Sequence, residues 1–510
     1  VEFRVFLCVR AACNPGSSLF RKIMKRLYRI AGICTVIFWL VMVVLLVSKQ
    51  QRTSVPLSFD DDFMGAFVEN TEEWAGVYFQ DQKIGYSHNS LKRIEDGYQI
   101  HHTIMLDMAM MGVAQRTRAQ VNTVTDHAFN LQVFSLRINT GAVSFIAYGE
   151  LDADNVMSLS VVSGGKTEEK QLQLSSAPVI TNALKYSIMK DGLRPGSVYE
   201  RVLFDPMTMS NRTASIEVLD RETLSMAGQE YECYRMLVTY MGVTMTVWID
   251  QQGRTVKEES PTGMVLVRED QEQALHGGWG ELVDMVEAVA IEVDTPFYSE
   301  SLRSLTLRLL NVELEGFQLD GGRQTLQGDV VKIVARDIAK TNSYTLPFSG
   351  QGFDAWLAPS LLIQSDRSEF SSIVEVIGGG EPRALKLARR LHRWVYENIE
   401  KRPIPGMPSA LAVLAARQGD CNEHAVLMAA LCRAAGIPTR VVAGLVYLRG
   451  RFYYHAWNEL YLNDWLPVDS TLNQFPADVT HIKFIEGDME EQLMVLNLIG
   501  KLKIEVVDYK

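Results

Sequence analysis

Cys421, His455 and Asp469 are the residues of this chain whose types could together carry out nucleophilic chemistry. A thiol attacks a carbonyl carbon once a base takes its proton, and a third group must hold that base in place. In "ARQGDCNEHAVLMAALCRAAGIPTR", Asp420 can cap a helix and Glu423 can act as its capping-box partner. Ala425, Met428, Leu431, Cys432 and Ala435 then recur at helical spacing until Gly436 and Pro438 end the pattern. Cys421 is therefore expected in the first helical turn, where free N–H groups favour a thiolate and lower its pKa. Downstream, "TRVVAGLVYLRGRFYYHAWNELYLNDWLPVDST" alternates as β structure. His455 shares a strand with Trp457 and Glu459 at period two, and Asp469 closes the next strand after a turn near Asn463 and Asp464.

Parity tests this arrangement. A two-residue hairpin loop at Asn463 and Asp464 would pair Asn458 with Asp469 and turn His455 to the opposite face. A working site needs an odd offset, such as a three-residue connection from Leu462 to Asp464 with a G1-type bulge, so that Asp469 falls opposite Trp457 and diagonal to His455.

Together, "GDCNEHAVLMAALCRAAGIPTRVVAG" and "FYYHAWNELYLNDWLPVDST" closely resemble the core of bacterial transglutaminase-like proteins, a branch of the papain-like thiol hydrolases. The resemblance runs from about Trp356 to Gly487. It implies an α+β fold in which Cys421 is the nucleophile, His455 the base and Asp469 the orienting group. Ser470 departs from the pattern, which often has proline there. The implied reaction is acyl transfer on a peptide or carboxamide bond of a protein or peptide substrate. Hydrolysis is favoured because water is the default acceptor; a crosslinking transamidase and a non-catalytic scaffold are the alternatives. No cofactor is expected.

Other uses of these residues compete with that reading. His424, on the same helical face as Cys421, is a rival base. Cys421, His424, His455 and Asp469 offer a donor set for zinc, although the usual zinc-motif spacings are absent. Cys421 and Cys432 lie eleven positions apart on one helix, about 16 Å by rise, so they cannot form a disulfide.

The elements around this core are read from composition and pattern. The 510 residues exceed one core, and roughly three domains are expected. Net charge is −11, yet the first fifty residues hold eight Lys/Arg and one acid. The acidic bulk, with no basic block, argues against nucleic acid as a partner. Lys25, Arg26 and Arg29 precede an uncharged run from Ile30 to Val47, about 27 Å long as a helix and close to a bilayer core. Residues 24–55 are thus read as a single-pass inner-membrane anchor and linker, with the N-terminus cytoplasmic and the bulk periplasmic. Residues 1–23, before Met24, are read as an upstream extension. Hairpin-spaced alternation marks 56–295 as a β-rich domain, a curved antiparallel meander or incomplete barrel. Residues 296–350, with Leu305, Leu307 and Leu309 alternating, are read as a small β connecting domain, and 351–510 as the catalytic domain. Within the last, "GGGEPRALKLARRLHRWVYENIEK" predicts a helix presenting Leu385, Ala388, Leu391, Val395 and Ile399 on one face.

Overall fold

The computed structural model describes residues 71–510, apart from 141–142, 164–165, 227, 277–278, 281, 300, 338–342, 403–408 and 488. The expected extension and anchor, residues 1–55, lie outside the described residues. No helix among the described residues is long and apolar enough to cross a membrane.

Fifteen strands between Thr71 and Glu269 form one sheet. The chain runs outward from Thr71–Phe79 by successive antiparallel hairpins to Lys166–Gln173, then crosses to Val179–Ile180 at the other edge. From there it steps back until Met264–Glu269 pairs with Thr71–Phe79. The two arms share one core: the Phe134 and Phe204 rings, one from each, are 5.3 Å apart. Tyr186, Ile188 and Met189 of the helix Leu184–Asp191 fill the space between them. This is the curved meander that the hairpin spacing predicts.

The C-terminal part is built on a second sheet ordered Ile291–Glu292, Arg451–Tyr461, Thr439–Leu448, His481–Glu486, with Trp465–Val468 also paired to Arg451–Tyr461. One core joins it to the helices: Val441, Ala456 and Leu460 pack with Leu427, Leu431, Leu387 and Leu391. The helix Ala384–Asn398 forms where the sequence predicts, but its buried stripe is Ala384, Leu387, Ala388, Leu391, His392 and Val395. Leu385 is only half-buried.

A second core joins the same sheet to the strands Ser304–Leu310, Gln324–Gln327 and Val330–Val334. The expected connecting domain is therefore completed from elsewhere. Leu305, Leu307 and Leu309 pack with Leu445, Phe452 and Phe484 of the second sheet, and the chain's last strand, Lys503–Tyr509, pairs with Ser304–Leu310. An alternating four-strand sheet has an apolar face to cover, and the neighbouring sheet covers it.

Candidate active site

The cysteine helix, Cys421–Ala434, begins as its sequence dictates. The Asp420 side chain accepts the Asn422 backbone N–H at 2.8 Å, and Glu423 Oε2 accepts the Asp420 N–H at 2.8 Å. Fixing both ends of that turn places Cys421 at its first position with a half-buried side chain. Asn458, in the histidine strand Arg451–Tyr461, donates its side-chain N–H to the Ala425 carbonyl oxygen at 2.9 Å, tying strand to helix next to the thiol.

The hairpin that carries the other two residues has the required parity. Tyr461 pairs with Trp465 and Asn458 with Val468, leaving the three-residue connection Leu462–Asn463–Asp464. Asn463, at φ +71°, takes the left-handed position in the middle of that connection rather than at its end, as a G1 bulge would place it. Continued by one step, the register sets Asp469 opposite Trp457. His455 Nε2 then lies 2.7 Å from Asp469 Oδ2. The other ring nitrogen is left for the Cys421 thiol, and the two groups act on each other's charge.

Asp469 is held from several sides. Its Oδ1 accepts the backbone N–H groups of Thr471 at 2.7 Å and Leu472 at 3.0 Å. Its own N–H and carbonyl exchange 2.9 Å bonds with Gln474, and His392 Nε2 donates to the same carbonyl at 2.9 Å. The Trp457 ring lies nearly parallel to His455, with centroids 6.1 Å apart and an interplanar angle of 19°.

Electrostatics differ in part from the expectation at a helix start. Burial pushes the Cys421 thiol up, and Asp420 beside it adds to that push; His455 acts in the opposite direction. Desolvation is the largest influence on the thiol. For His455, burial disfavours the charged ring, but Asp469 and Cys421 overcome it and raise its pKa to about 9. Asp469 is held well below the usual carboxylate range by His455 and His481 against the effect of burial. The thiol and imidazole thus share a proton as a pair, with Asp469 favouring the form in which the ring carries it.

His424, the rival base, is fully buried and its Nδ1 lies 2.6 Å from the Asp420 backbone carbonyl. Cys233, Cys421 and Cys432 are free thiols. The zinc set assembled from sequence is not the one brought together: the ligand atoms that converge are those of His455, Asp469 and His481. They converge through hydrogen bonds at 2.7 and 3.0 Å on one carboxylate oxygen, and a cation there would displace the bond that orients His455.

Sequence reasoning missed His481, which opens the strand His481–Glu486. That strand is separated from the histidine strand by Thr439–Leu448, and its pairing shifts register between Ala443 and Gly444. Gly444 stands opposite His455, where a Cβ would lie 2.0 Å from the Ile482 carbonyl oxygen. A lone histidine at a strand start carries no signal for a long-range partner.

Residues 372–470 match the core of the Transglutaminase-like superfamily, so the chain carries a transglutaminase-like domain. No curated protein sequence matches the chain. Among solved structures it is similar to a candidate cysteine protease from Cytophaga hutchinsonii, at 18% identity over 41% of this chain and 86% of that one, TM-score 0.27. It is also similar to a beta-barrel-like protein with a domain of unknown function from Brucella abortus, at 10% identity over 39% of this chain and 98% of that one, TM-score 0.29. A third is a candidate protease from Parabacteroides distasonis, at 10% identity over 63% and 62% of the two chains, TM-score 0.18.

Proposed function

We propose that this chain is a thiol-dependent acyl-transfer enzyme acting on peptide or carboxamide bonds, with Cys421 as nucleophile, His455 as general base and acid, and Asp469 as the group that orients it. The observation that carries this reading is the His455 Nε2–Asp469 Oδ2 contact at 2.7 Å, beside a first-turn thiol that acts electrostatically on the same ring.

In the reaction, the Cys421 proton passes to His455 and the sulfur adds to the substrate carbonyl carbon. The Cys421 backbone N–H, at the open end of its helix, is the default donor to the oxyanion. His455 then protonates the leaving amine, and a thioester remains on Cys421. Water completes hydrolysis when His455 takes its proton; an amine completes transamidation from the same intermediate. Water is the acceptor present at the highest concentration, which favours hydrolysis. A non-catalytic scaffold has no need of a thiol joined to a base and an orienting acid.

In cells we place this activity on a bacterial inner membrane, held by the uncharged run Ile30–Val47, with the bulk on the periplasmic side and a protein or peptide as substrate. Membrane fractionation and protease accessibility of intact spheroplasts test that placement; a full-length chain soluble without detergent would end it.

The test of the chemistry is reactivity. Cys421→Ala should abolish turnover of casein or of a glutaminyl peptide. His455→Ala should be nearly as damaging, and Asp469→Asn should lower the rate about 10³-fold or more. Iodoacetamide near neutral pH should label Cys421 much faster than Cys432. Equal labelling of the two cysteines, or full turnover by Cys421→Ala, would sink the assignment.

A further inference from the structure

Asp469 Oδ2 has two imidazole partners. His455 Nε2 lies at 2.7 Å and His481 Nε2 at 3.0 Å. The His481 side chain is completely buried, and its second nitrogen, Nδ1, lies 3.2 Å from Asp478 Oδ1. An ionised carboxylate has only lone pairs to offer, so a nitrogen facing one must donate an N–H. His481 faces a carboxylate at both nitrogens and must carry a proton on each.

We propose that His481 is a positioning residue of the Cys421–His455–Asp469 site: a buried imidazolium, clamped between Asp469 and Asp478, that fixes the carboxylate holding His455 and offsets part of its charge. The proposal rests on the thiol chemistry inferred above and adds to it a fourth and a fifth member, His481 and Asp478.

The physical need for it follows from the reaction. A carboxylate 2.7 Å from a buried imidazole, if uncompensated, would hold that ring as a cation through every step. The base must release its proton to the leaving amine and accept another from water. A second cation on the same oxygen weakens that grip, while Asp478, beyond it, keeps His481 charged. The His455 and His481 ring centroids are 5.8 Å apart, close enough for one charge to be felt at the other.

Asp478 is itself built in. Its carboxylate accepts the Gln474 side-chain N–H at 2.9 Å and the Thr480 N–H at 2.9 Å, and its own N–H returns to Gln474 Oε1 at 2.8 Å. Gln474 also exchanges backbone bonds with Asp469, so the segment from Asp469 to His481 is one closed hydrogen-bonded unit.

The other charged and titratable groups around His481 are few. Arg323 donates to the backbone carbonyls of Ala477 and His481, and Lys483 is paired with Glu459 and Glu486. His392 reaches the Asp469 carbonyl, and His424, Asp420 and Cys421 lie at the cysteine helix. Among the described residues, none of these groups contacts the His481 ring nitrogens, which face Asp469 and Asp478.

Two measurements on the full chain test the proposal. With ¹⁵N-labelled histidine, both ring nitrogens of His481 should give imidazolium shifts at about pH 8, above the ordinary range of free histidine. A neutral ring there would overturn the proposal, and this readout needs no variant. The second is the pH profile of Cys421 alkylation by iodoacetamide, read by mass spectrometry. In the unaltered chain the alkaline step should fall near 9, where His455 loses its proton. In the double variant His481→Gln, Asp478→Asn, which keeps an N–H for Asp469 and removes both charges, that step should move up by about one pH unit.

A folded variant with fast Cys421 labelling and an unmoved step would reduce His481 to packing and overturn the proposal, leaving the thiol reading intact. Slow labelling of Cys421 in the unaltered chain would instead remove the thiol reading, and the proposal with it. Stoichiometric zinc bound by the unaltered chain and lost in the variant would also overturn it, in favour of a metal on His455, Asp469 and His481.

Discussion

At Cys421 two influences oppose each other. Burial and Asp420 push the thiol up, while the His455 ring stabilises the thiolate. Burial prevails and the thiol is raised, while Asp469 favours the protonated ring, which makes stability depend on pH. The His455 pKa is raised from 6.5 to about 9, so the stabilisation from its charged form is fully present below 6.5 and lost as pH rises through about 9. Asp469 is depressed below its ordinary 3.8, so its contribution is present above 3.8 and lost as pH falls below it. Denaturant midpoints should therefore be highest between these limits and decline toward about pH 9, and Asp469→Asn should flatten the alkaline decline. An unchanged slope in that variant would mean that the ion pair contributes nothing. Sequence reasoning placed Cys421, His455 and Asp469 where their side chains meet, because each sits at a position defined by local pattern: a capped helix start, a strand of period two and the end of a hairpin.

At the scale of elements, the site depends on how the cysteine helix is held against the histidine strand. Asn458 is fully buried, and its 2.9 Å bond to Ala425 is a polar link across that packing. Asn458→Ala should lower stability by about 1–3 kcal/mol in denaturant unfolding. It should also slow Cys421 alkylation, because a small shift of the helix alters the approach of sulfur to imidazole. A stability loss with unchanged alkylation would show that the helix is positioned by apolar packing alone. The sequence posed the hairpin register as a condition, since only an odd offset brings His455 and Asp469 to one face, and the structure meets it. The left-handed residue at Asn463 was not legible, because several three-residue geometries satisfy the same parity.

For the whole molecule, residues 296–350 share a core with the C-terminal sheet, while the β-rich part keeps a core of its own. The last strand, Lys503–Tyr509, pairs with Ser304–Leu310, almost two hundred residues earlier, and Ile504 is buried there. Ending the chain at Leu502 should expose Leu305, Leu307 and Leu309 and lower the thermal midpoint by more than about 10 °C, or leave the protein insoluble. A truncated chain with an unchanged midpoint would restore the picture of residues 296–350 as a separate domain. The β-rich part is tied to the catalytic part as well: Leu362 packs into its core, Gln364 donates to Glu168 at 3.3 Å, and Asn497 donates to the Gly242 carbonyl at 2.6 Å.

The sequence by itself determined the cysteine helix and its cap, the histidine strand and the meander of the β-rich part. Each of these follows from interactions within a few turns or between adjacent strands, where spacing alone fixes which side chains meet. Only the tertiary structure decided the direction of the Cys421 shift, the sharing of Asp469 between two histidines, and the joining of residues 296–350 to the final strand. Those depend on burial and on contacts between distant segments, and neither a residue's identity nor its neighbours' spacing encodes the solvent it loses or the partner it gains.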